Sequence, residues 1–128
     1  MALHAIVEMQ SLTGVRTPGA TMASFSAIEE KLALTTKPYC MVLAWVVIDV
    51  EEMDPAITHN THLMPMVMYS HQVVSHSSGR LAQGDSVMTG FATYYDHKGI
   101  FETADAVYIL LHQGFRKTAH MNTVRAAQ

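Results

Sequence analysis

Eight histidines in 128 residues are the first chemistry this sequence offers. His59-x-x-His62 and His71-x4-His76 flank one apolar run, and His97, His112 and His120 fall at turn-like positions. Two nearby imidazoles and a third ligand suffice to hold zinc. The spacing argues the other way. No strict ligand signature is present, and the lone cysteine, Cys40, lies inside the apolar run Tyr39-Cys40-Met41-Val42-Leu43, where a buried inert thiol is the default. A histidine-rich metal protein is therefore the third reading of this chain, and no cofactor is expected.

Two charged constellations rank above it. Asp49, Glu51, Glu52 and Asp54 form an acidic cluster. It lacks the glycine and the twelve-residue spacing of a calcium loop, so the chemistry it suits is electrostatic, an acidic face for a basic partner. Arg116 and Lys117, with Tyr94, Tyr95 and Tyr108 on neighbouring strands, have the composition of an aromatic and basic platform for single-stranded nucleic acid. The ordinary reading of those tyrosines is core filling. Met64, Met66 and Met68 alternate, which puts all three on one strand face and marks that face as a candidate interface.

Catalytic signatures are missing. There is no Gly-x-Ser-x-Gly, phosphate loop, His-Glu-x-x-His or dinucleotide fingerprint, so a non-enzymatic role is expected. The chain is 49% hydrophobic and 15% charged, apolar enough for a real core and sparing in surface charge. Part of its exterior should be covered by a partner or by a second copy of itself. Net charge is -3, with no global basic signature for nucleic acid. The acidity is confined to residues 1–76, where seven acidic residues face three basic ones, against four and five in residues 77–128. One cysteine excludes an intrachain disulfide. No basic-then-apolar leader opens the sequence, and the longest apolar run, Met41 to Ile48, is too short to span a membrane, so a cytoplasmic setting without membrane contact is expected.

These residues need elements to position them. Leu3 to Met9 reads as a short strand and Thr13 to Ala20 as a loop. A helix follows, capped by Ser26 with Glu29, carrying Ile28, Leu32 and the flanking Phe25 at helical spacing and stopped by Thr36-Lys37-Pro38. Met41 to Val50, rich in Val and Ile and holding the only tryptophan, Trp45, reads as a buried strand. Glu51 to Thr61 reads as a short helix or loop. Strands are expected at Met64 to Val74, Ser86 to Tyr95 and Ile100 to Thr103. A hairpin of Val107 to His112 and Phe115 to His120 is expected around Gln113-Gly114, with glycine supplying positive φ, then a tight turn and edge pairing at Met121 to Val124.

The ordered set Gly79-Arg80, Gly84-Asp85-x-Val87-x-Thr89, Phe101-Glu102-Thr103, Val107-Tyr108-Ile109-Leu110, Gly114-x-Arg116-Lys117 and Asn122-Thr123-Val124 resembles an uncharacterised family of small pseudomonad and prophage proteins, a domain of unknown function. Trp45 to Val50 is similar to its upstream segment, so the resemblance covers about residues 45–124. The Gly-Asp-x-Val opening and the late hairpin are also similar to SH3-like small barrels, including the KOW type, although the clustered Lys and Arg of their nucleic-acid-binding members are missing here. The resemblance implies a small-barrel fold, a bacterial or phage origin and a non-enzymatic role, and it carries over no catalytic residue.

The expectation is therefore an α+β fold in one domain, residues 1–128. An SH3-like small antiparallel β-barrel, residues 77–128, packs on an N-terminal helix-plus-strand portion, residues 1–76. Its expected activity is protein binding through Asp49, Glu51, Glu52 and Asp54, as a phage- or prophage-encoded inhibitor of a host or defence complex. The alternative is a nucleic-acid-binding SH3- or KOW-like barrel using Tyr94, Tyr95, Arg116 and Lys117.

Overall fold

The computed structural model describes residues 14–51 and 62–127. Its elements are β1 (Val15–Pro18), a 3-10 turn (Met22–Ser24), α1 (Phe25–Ala33), β2 (Tyr39–Glu51), β3 (Met66–His76), β4 (Val87–Met88), β5 (Ala92–Tyr95), β6 (Ile100–Thr103), β7 (Val107–Leu110), β8 (Gln113–His120) and α2 (Met121–Ala127). The eight strands join one open sheet, so the fold is mostly β with short helices packed on it. The expected strand Leu3 to Met9 and the Glu52 to Thr61 part of the expected helix or loop lie outside the described residues.

β2 is the axis of the molecule. Val42, Val46, Val47, Ile48 and Val50 give it the β-branched composition that suits a pleated strand. It is buried on both faces, which is why it reads as an unbroken apolar run rather than an alternation. On one side it pairs antiparallel with β3. On the other, Tyr39–Val42 pair in parallel with β7 and Val46–Glu51 in parallel with β8.

A kink in β2 resets its alternation. Ala44 adopts φ +48, a left-handed conformation uncommon outside glycine. Cys40 and Val42 before it, and Trp45 and Val47 after it, consequently point into the same core, with Met66, Met68, Val73, Phe101, Tyr108 and Leu110. On the opposite face Val46, Ile48 and Val50 pack with Met121 and Val124 of α2. Tyr39 and Met41 pack there with Ile28 and Leu32 of α1, over Ile100, Val107 and Ile109. Each fully buried Val, Leu or Ile contributes roughly 1.5–3 kcal/mol.

The β7–β8 segment differs from the expected hairpin. The two strands do not pair with each other; the chain continues in one direction along β2, bending at Leu111–His112, where His112 adopts φ +61. Trp45 fills the bend. Its indole Nε1–H donates to Leu111 O at 3.0 Å, and the ring lies flat against Gly114, where an added Cβ would collide with the indole. Gly114 is thus needed for close approach and not for positive φ.

Other boundaries moved for local reasons. The Thr13 to Ala20 loop contains β1, which pairs with β8. The helix is entered through the 3-10 turn, where Thr21 N–H donates to Ser24 Oγ at 3.2 Å, so Ser26 and Glu29 are not its cap. The expected strand Ser86 to Tyr95 splits because it changes partner. Val87–Met88 pair with β3, Ala92–Tyr95 with β6, and between them Thr89 Oγ1 accepts Met68 N–H and donates to Gly90 O. Met121 to Val124 begin a helix rather than an edge strand, with Asn122 N–H donating to His120 Nδ1 at 3.1 Å.

Candidate functional site

The residues assigned by sequence to two rival sites meet in one. β2 and β8 run side by side, which brings Asp49 to Arg116 across 67 residues of chain. The guanidinium grips the carboxylate with two prongs, Nε to Oδ2 at 2.7 Å and Nη2 to Oδ1 at 2.8 Å. This is the geometry in which Arg–carboxylate pairing is strongest. Arg116 Nη1 also lies 3.2 Å from His97 Nδ1, and the guanidinium stands 5.9 Å from the centre of the Tyr95 ring. His97 packs on the same ring, with centroids 4.5 Å apart.

The electrostatics follow from the contacts. The hydrogen bonding to Asp49 outweighs burial and holds the Arg116 guanidinium more firmly protonated than usual. Burial pushes the Tyr95 phenol up to about 12, against the opposing pull of Arg116. Tyr95 Oη is buried and has no hydrogen-bond partner among the described residues. The acidic-surface residue and the basic-platform residue neutralise one another.

The remaining candidates scatter. Glu51 is exposed at the end of β2, while Glu52 and Asp54 lie outside the described residues. Tyr94 is exposed and stacks under Lys31 Nζ, 4.9 Å from its ring centre. Tyr95 and Tyr108 are buried, on either side of Phe101 in the sheet register, so the three tyrosines share no open platform. Lys117 is half-buried on β8. Met66 and Met68 are buried in the core and Met64 packs against it, so the methionine face points inward and is not an interface.

The described histidines divide between bends and strands. Three of the six described, His62, His97 and His112, adopt positive φ, which histidine tolerates better than most side chains. Among the described residues no group of three or more His, Cys, Asp or Glu is arranged to hold a metal ion. Cys40 is fully buried, and burial pushes its thiol up to about 11.

Sequence reasoning missed a second charged cluster. Glu102 on β6 is buried and bound by two ammonium groups, Lys31 from α1 at 2.7 Å and Lys37 from the α1–β2 connection at 2.6 Å. Lys37 also donates to Thr103 O at 2.9 Å. Burial works to raise the Glu102 pKa, but the two lysines outweigh it and hold the carboxyl below its ordinary range. A buried glutamate on a four-residue strand was the available signal, since such a side chain requires paired charge. The cluster fastens α1 to the sheet.

What stays free is the outer side of the Met22–Glu30 segment. Met22 is 89% and Phe25 54% exposed, and Glu29, one helical turn from Phe25, and Glu30 are exposed and outside every ion pair among the described residues. Val15, on the neighbouring β1, is exposed too.

Residues 18–126 match a protein family described as a domain of unknown function, DUF6957. The chain belongs to that family. The match spans most of the chain and takes in every strand from β2 to β8. No curated protein and no solved structure matches the chain. Among the described residues no helix is long and apolar enough to cross a membrane.

Proposed function

We propose that this DUF6957 protein is a non-enzymatic protein-binding module that docks through the apolar and acidic surface of Met22, Phe25, Glu29 and Glu30. The observation that carries the reading is the exposure of two large apolar side chains within four residues, beside two carboxylates that no described lysine or arginine neutralises. Adjacent apolar and charged groups of this kind are the raw material of an interface core and its rim. Of the acidic stretch Asp49 to Asp54, Asp49 is held by Arg116, and Glu51 is exposed at the opposite end of β2 from α1. In its finer form the proposal is a cytoplasmic inhibitor, encoded by a phage or a pseudomonad prophage, that occludes a basic surface of a host or defence complex. An SH3-like barrel is the finer fold reading. Its support is the bridge in which Met64 N–H donates to Ala92 O at 2.8 Å, drawing the β5 edge back towards β3.

Affinity capture with the full chain tests this, with and without nuclease, alongside the Met22→Ser/Phe25→Ser double variant. A dominant nuclease-resistant partner that the variant loses, while keeping its fold by circular dichroism, is the expected result. Equal retention by the variant overturns the surface. Loss of every partner on nuclease treatment transfers the function to nucleic acid.

A further inference from the structure

The structure also holds a cleft whose lining is separate from the Met22–Glu30 surface. It has a volume of about 270 Å³ and opens between the β3–β4 connection, the β6–β7 turn and the Thr89–Gly90 bend. Its size falls just under the roughly 300–1,000 Å³ typical of drug-sized ligand pockets, which suits a small metabolite.

Its lining combines opposite charges on separate segments. Arg80 comes from the β3–β4 connection and Asp105 from the β6–β7 turn. Both are exposed, and neither forms an ion pair among the described residues. Leu81 and Val87 supply an apolar wall. Tyr108 lines the cleft with only 8% of its surface exposed, and its hydroxyl makes no hydrogen bond among the described residues. Burial raises its pKa first of all, the neighbouring Cys40 and then Asp105 act in the same sense, and Arg80 opposes them. His76, also in the lining, accepts Ser78 N–H at Nδ1, which leaves the proton of the neutral ring on Nε2 as a further donor.

An anion entering alone would be drawn to Arg80 and repelled by Asp105, and a cation alone the reverse. A molecule carrying both charges satisfies both walls. We propose that this cleft binds a small zwitterion with an apolar body, of the α-amino-acid class, its carboxylate on Arg80 and Tyr108 Oη, its ammonium on Asp105 and its side chain against Leu81 and Val87.

Nuclear magnetic resonance titration of the isotope-labelled full chain tests this with three probes: L-leucine, N-acetyl-leucine and leucinamide. Leucine is expected to shift the amide signals of Arg80, Leu81, Thr89, Asp105 and Ala106 saturably. The two capped probes, each missing one charge, are expected to bind at least tenfold more weakly. Arg80→Gln and Asp105→Asn should each weaken leucine at least tenfold with an unchanged melting temperature, and Tyr108→Phe should weaken it while preserving the core shape. The proposal is overturned if leucine causes no saturable shift, if the shifts map elsewhere, or if either capped probe binds as well as leucine.

Discussion

The Glu102 cluster and the Arg80–Asp105 cleft use the same ingredients and treat them oppositely. Glu102 is buried with two lysines within hydrogen-bond reach, so its charge is consumed in joining α1 to β6. Arg80 and Asp105 face a shared cleft and neither is paired among the described residues. The Asp49–Arg116 pair falls between the two, well formed but about one-third exposed on both sides. Paired charge here fastens elements together, and charge left over is what the proposed binding surfaces draw on. A charged residue's partner therefore says more about its role than its identity does.

Removing the most deeply held charge should have the largest effect. Glu102→Gln leaves two lysines without their carboxylate and is expected to cost about 2 kcal/mol, between the values for exposed and fully buried pairs, because both lysines are about one-third exposed. Urea denaturation measures it. A loss under about 0.5 kcal/mol, the range of neutral surface substitutions, would erase the contrast with the cleft.

Acid should sharpen the same point. The folded-state pKa of Glu102 lies below its ordinary 4.5. The cluster's stabilisation is therefore complete above the unfolded value and is lost as pH falls through the lower folded one. The difference in melting temperature between wild type and Glu102→Gln should be full at neutral pH and shrink at pH values below 4.5. A difference that stays constant with pH would assign the effect to packing rather than charge.

Asp49→Asn and Arg116→Gln should each cost about 1 kcal/mol, reduced by high salt, and a double-mutant cycle should show coupling between them. Additive costs would mean the two-pronged pair contributes nothing as a pair. The smallest effects belong to the cleft. Arg80→Gln and Asp105→Asn should change stability by less than about 0.5 kcal/mol each, and additively, because no described partner is lost. A larger loss would place them in the structure and not at a ligand site.

Legibility in the sequence followed the range of the interactions. Ile100–Thr103 was read to the residue and β2 nearly so, because composition and local pattern decide them. The burial of Cys40 and Trp45 was equally visible. Hidden from local reasoning was the parallel passage of β7 and β8 along β2. Gln113-Gly114 has the look of a turn, and only the indole of Trp45, met in space, explains why a glycine sits there. The left-handed residues at Ala44 and His112 carry no glycine to announce the kinks. The charged sites were half legible. Asp49 and Arg116 were both singled out, but for opposite roles, since nothing in a sequence pairs residues 67 positions apart. That Glu102, Lys31 and Lys37 meet in one cluster went unread for the same reason.

The most direct test of the central claim compares a paired charge with an unpaired surface in one binding experiment. Once a captured partner is purified, its affinity would be measured for wild type, Arg116→Gln and Met22→Ser/Phe25→Ser. The account predicts that Arg116→Gln binds like wild type despite its lower stability, and that the double variant binds at least tenfold more weakly. Weak binding by Arg116→Gln with full binding by the double variant would contradict it and move the interface to the Asp49–Arg116 face.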